Sequence, residues 1–247
     1  MAGLSFITLL AYDYKYAFDA IRSYYDIADE ILLGLDIDRL TWMGRPFQID
    51  MTALRDFIGT VDRQRKIRIV EGNFHTEPGP MLNETRERSL LSLETRQGNW
   101  IVQIDADEVL LNGPQFKEWL LTACTSTCVV YARCIGVFKS FENKVLLIDP
   151  PEELAPVATQ LRGSYTKARV TNQPEIISPL TLLHHSWGRS AEELLQKLDN
   201  WGHTGDFDIK RYFQFWQSIN LSNYQQVRDF HPLYGPTWHA LKLVEVG

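Results

Sequence analysis

The chain has 247 residues, 45% of them hydrophobic and 23% charged, enough to bury a full core and ordinary for a globular protein. Its formal net charge of −6 argues against a non-specific nucleic-acid binder, which needs a basic surface. No stretch approaches the roughly 20 apolar residues of a membrane span, and the apolar run Leu4 to Ala11 lacks a preceding basic residue, so it reads as a first strand rather than a signal peptide.

In chain order, Ser5 to Leu10 is predicted as a strand. Ala17, Ala20, Ile21, Tyr24 and Ile27 then recur at helical spacing. Glu30 to Leu35 is a second strand ending at Asp36. Leu54, Phe57, Ile58 and Val61 mark a helix, Lys66 to Val70 a third strand, and Glu84 to Gln97 a helix stopped by Gly98. Trp100 to Ile104 is a fourth strand. This alternation predicts an α/β protein with a parallel sheet. Pro114 opens a further helix. Cys128 to Ala132, Ile135 to Phe138 and Lys144 to Ile148 read as separate strands, Asp149 to Pro156 as a loop, and Leu180 to His185 as a last strand. Ser190 with Glu193 forms a capping box, with Leu194, Leu198 and Trp201 on the helix it starts. Asp208 to Ile219 is one more helix, its aromatic residues Tyr212, Phe213 and Trp216 falling on a core face. The basic run Arg63, Arg65, Lys66 and Arg68 reads as a solvated face. No repeat or linker interrupts the chain, so residues 1–247 are expected to form a single mixed domain.

Three cysteines, Cys124, Cys128 and Cys134, match neither a disulfide framework nor a zinc site, and a cytoplasmic protein with free thiols is expected. Asn83-Glu84-Thr85 is a glycosylation sequon without meaning in that compartment.

The stretch richest in chemistry is Trp100-Ile-Val-Gln-Ile-Asp105-Ala-Asp107-Glu108. A short buried strand ends in three carboxylates, at the sheet edge where α/β proteins bind ligands. Asp105 and Asp107 would aim hard oxygen ligands at one point, which suits Mn2+ or Mg2+ carrying phosphate oxygens. Asp-x-Asp spacing alone is weak, because it recurs at Asp36-Ile-Asp38 and Asp206-Phe-Asp208. The metal reading also carries its own refutation: side chains locked into ion pairs within the chain would overturn it.

With these pieces in order, the sequence resembles a nucleotide-sugar-dependent glycosyltransferase of the GT-A fold, family 2-like. The resemblance rests on Phe6 to Asp36, on Asn83-Glu-Thr-Arg-Glu-Arg88-Ser leading to Asp105-Ala-Asp-Glu108, and on Leu183-His-His-Ser-Trp-Gly-Arg189 with Lys197 and Asn200-Trp-Gly-His203. It implies a Rossmann-like, mixed and mainly parallel sheet flanked by helices. Residues 1–112 would form the nucleotide-binding half and 113–247 the acceptor-side half. Asp107 would ligate Mn2+ or Mg2+, and Asp105 the metal or the donor ribose. Asp36 would contact the nucleotide base, and Tyr12, Arg86 and Arg88 would line the donor site. His184 is either a third metal ligand or a packed core histidine, with Trp187 and Arg189 lining a sugar pocket. The acceptor would be a saccharide, a lipid-linked molecule or a protein, with peripheral membrane contact open and no nucleic-acid partner. No catalytic residue is assignable, since Glu152, Glu153, Glu175, Asp206 and Asp208 are equal candidates for the base. Two alternatives stand beside the enzyme: a non-catalytic nucleotide-sugar-binding module, and a nucleotidyltransferase of similar fold. The latter is disfavoured because Ala11-Tyr-Asp-Tyr-Lys15 has no glycine to wrap a triphosphate.

Overall fold

The computed structural model describes residues 2–124, 127–200, 206–234 and 237–246; Trp201 and His203 lie outside the described residues. Its N-terminal half alternates β1 (Leu4–Leu10), α1 (Ala17–Tyr24), β2 (Glu30–Asp36), α2 (Met51–Val61), β3 (Ile67–Gly72), α3 (Pro80–Leu93) and β4 (Trp100–Gln103). Every residue of β1, β2 and β4 is buried, as expected of parallel strands covered on both faces. Local chemistry starts the helices. Asp50 caps α2 by accepting from the Thr52 and Ala53 N–H groups, and Pro80 occupies the first turn of α3, where no N–H is needed. Ala17, Ala20, Ile21 and Tyr24 of α1 face the sheet, and the Tyr24 ring stacks on Phe6 at 4.5 Å.

The C-terminal half runs β5 (Glu108–Leu110), α4 (Gly113–Thr122), β6 (Val129–Ser140), β7 (Lys144–Asp149), β8 (Leu154–Thr159), β9 (Glu175–His184), α5 (Ala191–Asn200), α6 (Ile209–Ser218) and β10 (Ala240–Glu245). The strands form one mixed sheet in the order β10-β7-β6-β8-β4-β1-β2-β3, with β9 pairing β6 and β5. Strands β3, β2, β1 and β4 are parallel; β8 joins them antiparallel to β4 and carries the sheet into the second half. The strand order reverses between β1 and β4, so a crevice opens at their carboxyl ends.

Three expectations are corrected. The two strands expected within Cys128 to Phe138 are one long strand, Val129–Ser140, because β6 continues through register shifts while exchanging partners among β7, β8 and β9. The expected loop around Pro156 begins strand β8, and the proline is accommodated at the register shift opposite Tyr131, where a missing N–H costs little. The C-terminal tail holds β10, paired antiparallel to β7. The aromatic helix α6 is core as expected. Phe213 and Trp216 are buried with Phe138, Trp187, Phe230 and Trp238 in a second apolar cluster, and Trp216 Nε1 donates to the Phe138 carbonyl at 2.8 Å. The basic run near β3 is largely engaged locally: Lys66 Nζ donates to the Tyr25 and Ala28 carbonyls, and Arg68 to Glu94.

Candidate functional site

The crevice between β1 and β4 holds a network of opposite charges built from six segments. From the turn after β4, Asp105 Oδ1 accepts from Arg88 Nη2 of α3 at 2.8 Å, and its Oδ2 lies 3.5 Å from Arg169 Nη2. Arg169, in the segment between β8 and β9, donates to both Glu108 oxygens at 2.8 Å, and Glu108 Oε2 also accepts from the Asp105 N–H. The Glu108 side chain is fully buried. Two residues on from Asp105, Asp107 Oδ2 accepts from Arg189 Nη2 at 2.6 Å and Lys197 Nζ at 2.7 Å, while Oδ1 lies 3.5 Å from His184 Nε2. Arg189 also reaches Asp13, beyond β1, at 2.9 Å, and its guanidinium lies 4.5 Å from the Tyr16 ring centre.

Backbone geometry carries these groups inward. His184 ends β9 opposite Glu108 of β5, and the His185 N–H donates to the Asp107 carbonyl, so the turn after β9 is stitched to the acidic segment. Gly188 is needed beside Arg189, since a Cβ there would stand 2.4 Å from Val137 Cγ1 of β6. The Ser190–Glu193 box is formed in both directions, at 3.1 and 3.2 Å, and starts the helix whose inner face carries Lys197.

The titration of each group follows from this packing. Burial would raise the Asp105 carboxyl, but Arg169 and then Arg88 override it and hold it down at about 2. Burial likewise opposes ionisation of Asp107, and Lys197, His184 and Arg189 together hold it well below the usual carboxylate range. Burial would lower the His184 imidazole; Asp107 outweighs that and raises it. The Tyr12 phenol is pushed well up, by burial first and then by Asp13.

The other expected site residues are placed differently. Asp36 is buried, with Oδ1 accepting from the Asp38 and Leu40 N–H groups and Oδ2 from Phe74 and His75, at 2.9–3.3 Å. Those four bonds fill the carboxylate, so it shapes its own loop rather than facing a nucleotide base. Arg88 is held by Glu84, Gln103 and Asp105, which makes it the support of Asp105 rather than a free phosphate ligand. Arg86, two positions back on α3, points to the opposite face, where it lines a pocket of about 310 Å³ with Glu77, Leu82, Thr85, Ser89 and Leu90. Trp187 is a core residue, 4.9 Å from Tyr212 and 6.1 Å from Trp238 between ring centres. Among the candidate bases, Asp208 caps α6, Glu175 accepts from Tyr131, and Glu152 and Glu153 lie 3.7 and 4.0 Å from His239 and His231. Arg169 and Asp13 were not assigned a role from sequence, because they stand in irregular segments with no motif around them.

A divalent cation does not fit these residues. All four oxygens of Asp105 and Asp107 already face a cationic or histidine nitrogen. An ion about 2.1 Å from Asp107 Oδ2 would stand within about 5 Å of both Arg189 and Lys197, each repelling it by roughly 7 kcal/mol at an effective dielectric near 20. Among the described residues no group of three or more His, Cys, Asp or Glu is disposed to hold a metal. In this structure the carboxylates expected at a metal centre form an internally compensated ion network.

Next to it, Glu87 Oε2 accepts from Trp42 Nε1 at 2.7 Å, and burial pushes its carboxyl up to about 7, with that bond and Arg88 pulling the other way. Since the folded state holds this proton more tightly than the ordinary 4.5, the stability it supplies is present below pH 4.5 and lost as pH rises through 7. Glu87→Gln is expected to remove that loss and to exceed the native chain at pH 8 by roughly 1–3 kcal/mol. Urea unfolding at pH 5 and pH 8 checks this; parallel pH trends for the two proteins would refute it.

Asn83 is also fully buried beside this site. Its Oδ1 accepts from the Thr76 and Glu77 N–H groups, and its Nδ2 donates to the Trp42 and Glu77 carbonyls.

No family model and no curated protein matches the chain. Several solved structures do. Staphylococcus aureus TarS is similar over 91% of this chain and 47% of its own, at 12% identity and a TM-score of 0.43. A shorter form of it, residues 1–349, is similar over 56% of this chain and 37% of its own, at 14% identity and 0.39. Glucosyl-3-phosphoglycerate synthase of Mycobacterium tuberculosis, in complex with Mn2+, UDP and glucosyl-3-phosphoglycerate, aligns over 55% of this chain and 44% of its own, at 16% identity and 0.33. This chain thus spans less than half the length of each of these. 4-Diphosphocytidyl-2C-methyl-D-erythritol synthase aligns over 80% of this chain and 98% of its own, at 9% identity and 0.40. The solved structures to which this chain is distantly similar include glycosyltransferases of the GT-A fold, at TM-scores too low to carry any argument about its chemistry.

Proposed function

We propose that the chain is a glycosyltransferase that moves a sugar from a nucleoside diphosphate donor to a carbohydrate, lipid-linked or protein acceptor. One observation carries the reading: carboxylates following β1 and β4 meet buried cations from the turn after β9, from α5 and from α3 at the point where the strand order reverses. That crevice is where open α/β sheets take nucleotides. Cations fixed in a partly dry crevice stabilise the charge that builds on a diphosphate as its bond to the sugar breaks. In this reading residues 1–112 supply the donor side and residues 113–247 the acceptor side of one catalytic unit. In the same reading Tyr12 lines the donor side. The three free thiols support a cytoplasmic setting, and among the described residues no helix is long and apolar enough to cross a membrane.

A second reading, a module that binds the donor without turning it over, is favoured by the pairing of both Asp105 and Asp107 within the chain. Incubating the protein with UDP-, GDP- and dTDP-sugars and an extract of candidate acceptors separates the two. Release of nucleoside diphosphate is expected for one donor. Binding without release supports the module, and neither binding nor release would sink both.

A further inference from the structure

A diphosphate donor needs positive charge at this crevice, and the residues that would hold a divalent ion are already engaged. Arg189 and Lys197 both contact Asp107 Oδ2, at 2.6 and 2.7 Å, in the place where a metal on that carboxylate would sit. Together they carry two unit charges, the same as such an ion. Both are fixed: the Arg189 side chain is fully buried between Asp13 and the Tyr16 ring, and Lys197 is 11% exposed and also reaches Ser186 Oγ at 3.2 Å. Arg189 is unsaturated as well: among the described residues its buried Nε and Nη1 have no hydrogen-bond partner. A buried guanidinium with open N–H groups is costly unless a further acceptor joins it, and phosphate oxygens are the acceptors it suits best. Arg88 and Arg169 do not offer this, being bound to Glu84, Gln103, Asp105 and Glu108.

We propose that Arg189 and Lys197 replace the divalent cation, binding the diphosphate of the donor directly, so that donor binding is independent of metal. The inference rests on the glycosyltransferase reading and deepens it. Asp107 is then the residue that positions both cations, not a metal ligand. Asp13 and Tyr16 tie Arg189 to the segment after β1, where the nucleotide half contributes to the crevice.

Calorimetric titration of the full chain with UDP and with GDP, once in EDTA and once in Mn2+, tests the proposal, with Mn2+ alone as a third titrant. One of the two nucleotides is expected to bind with Kd values in the two buffers that agree within about threefold, and Mn2+ alone to give no stoichiometric heat. Lys197→Met is expected to weaken that binding about tenfold or more in both buffers, with far-UV circular dichroism confirming that it folds. Arg189→Lys keeps the charge but removes the open N–H groups, and should also lose affinity in EDTA. Binding seen only with Mn2+, or more than about tenfold tighter with it, overturns the metal-independent site and leaves the glycosyltransferase reading intact. Undiminished binding by folded Lys197→Met also overturns it. No binding of either nucleotide in either buffer overturns both. The comparison of buffers needs no variant, so it decides even if a substitution prevents folding.

Discussion

Asp107→Asn is expected to lower the stability of the chain by about 3–5 kcal/mol, because it leaves buried cations without their shared counter-charge. The residue is 5% exposed, and its Oδ2 is the meeting point of Arg189 and Lys197. Asparagine preserves the shape but removes the charge, so the effect isolates electrostatics from packing. Among these contacts Arg189 then keeps Asp13 and the Tyr16 ring, and Lys197 its bond to Ser186. A Tm fall of roughly 10 °C follows for a chain of this size. Adding Lys197→Met to the variant removes one stranded charge and should recover part of the loss, which a double-mutant cycle measures. A loss below about 1 kcal/mol would mean that solvent reaches the network and that the cations are not held by Asp107. The acid side gives the same logic in pH. Since the neighbouring Asp105 carboxyl is held down at about 2, the stability it contributes is present above its unfolded value of 3.8 and is lost as pH falls towards 2.

The second large effect lies at Arg169. Arg169→Met strands the Glu108 carboxylate, whose side chain has no exposure and which receives two bonds of 2.8 Å from that guanidinium. A loss of about 3–5 kcal/mol is expected, since Glu108 must then take up a proton or remain charged without its partner. Replacing both partners, in Arg169→Met with Glu108→Leu, should restore most of it, because a desolvated ion pair exchanged for apolar groups is close to neutral. Chemical denaturation of the four proteins provides the cycle. A double variant no more stable than Arg169→Met would show that the Glu108 bond to the Asp105 N–H, which leucine also deletes, matters more than the ion pair.

The N-terminal half was legible because each element carries its own signal. β1, β2 and β4 are continuous apolar runs, and α1 repeats its buried positions at helical spacing, so neighbouring residues suffice to identify them. The C-terminal half was less so. β6 is held by three different strands along its length, and no local pattern announces a change of partner. β8 hides behind Pro156, which reads as a loop until its register shift is seen. At the site, the motif drew attention to the strand end after β4. It did not reveal what would face the carboxylates. Arg169 and Asp13 come from irregular segments 64 and 92 positions from Asp105, and only the folded sheet makes them neighbours. The sequence pattern of a metal centre and that of a compensated ion network are the same until the cations are in place.

Asn83 has a consequence for how the protein is produced. A secretory host attaches its oligosaccharide at Asn-x-Thr while the polypeptide is still emerging, before α3 has docked. A glycan on this amide would have no way into the slot between Trp42 and Glu77, where both ends of the side chain are bound to backbone. Sugar occupancy at this position and the native fold therefore exclude one another, and material exported through such a pathway would sort into unmodified, folded molecules and decorated ones that never close.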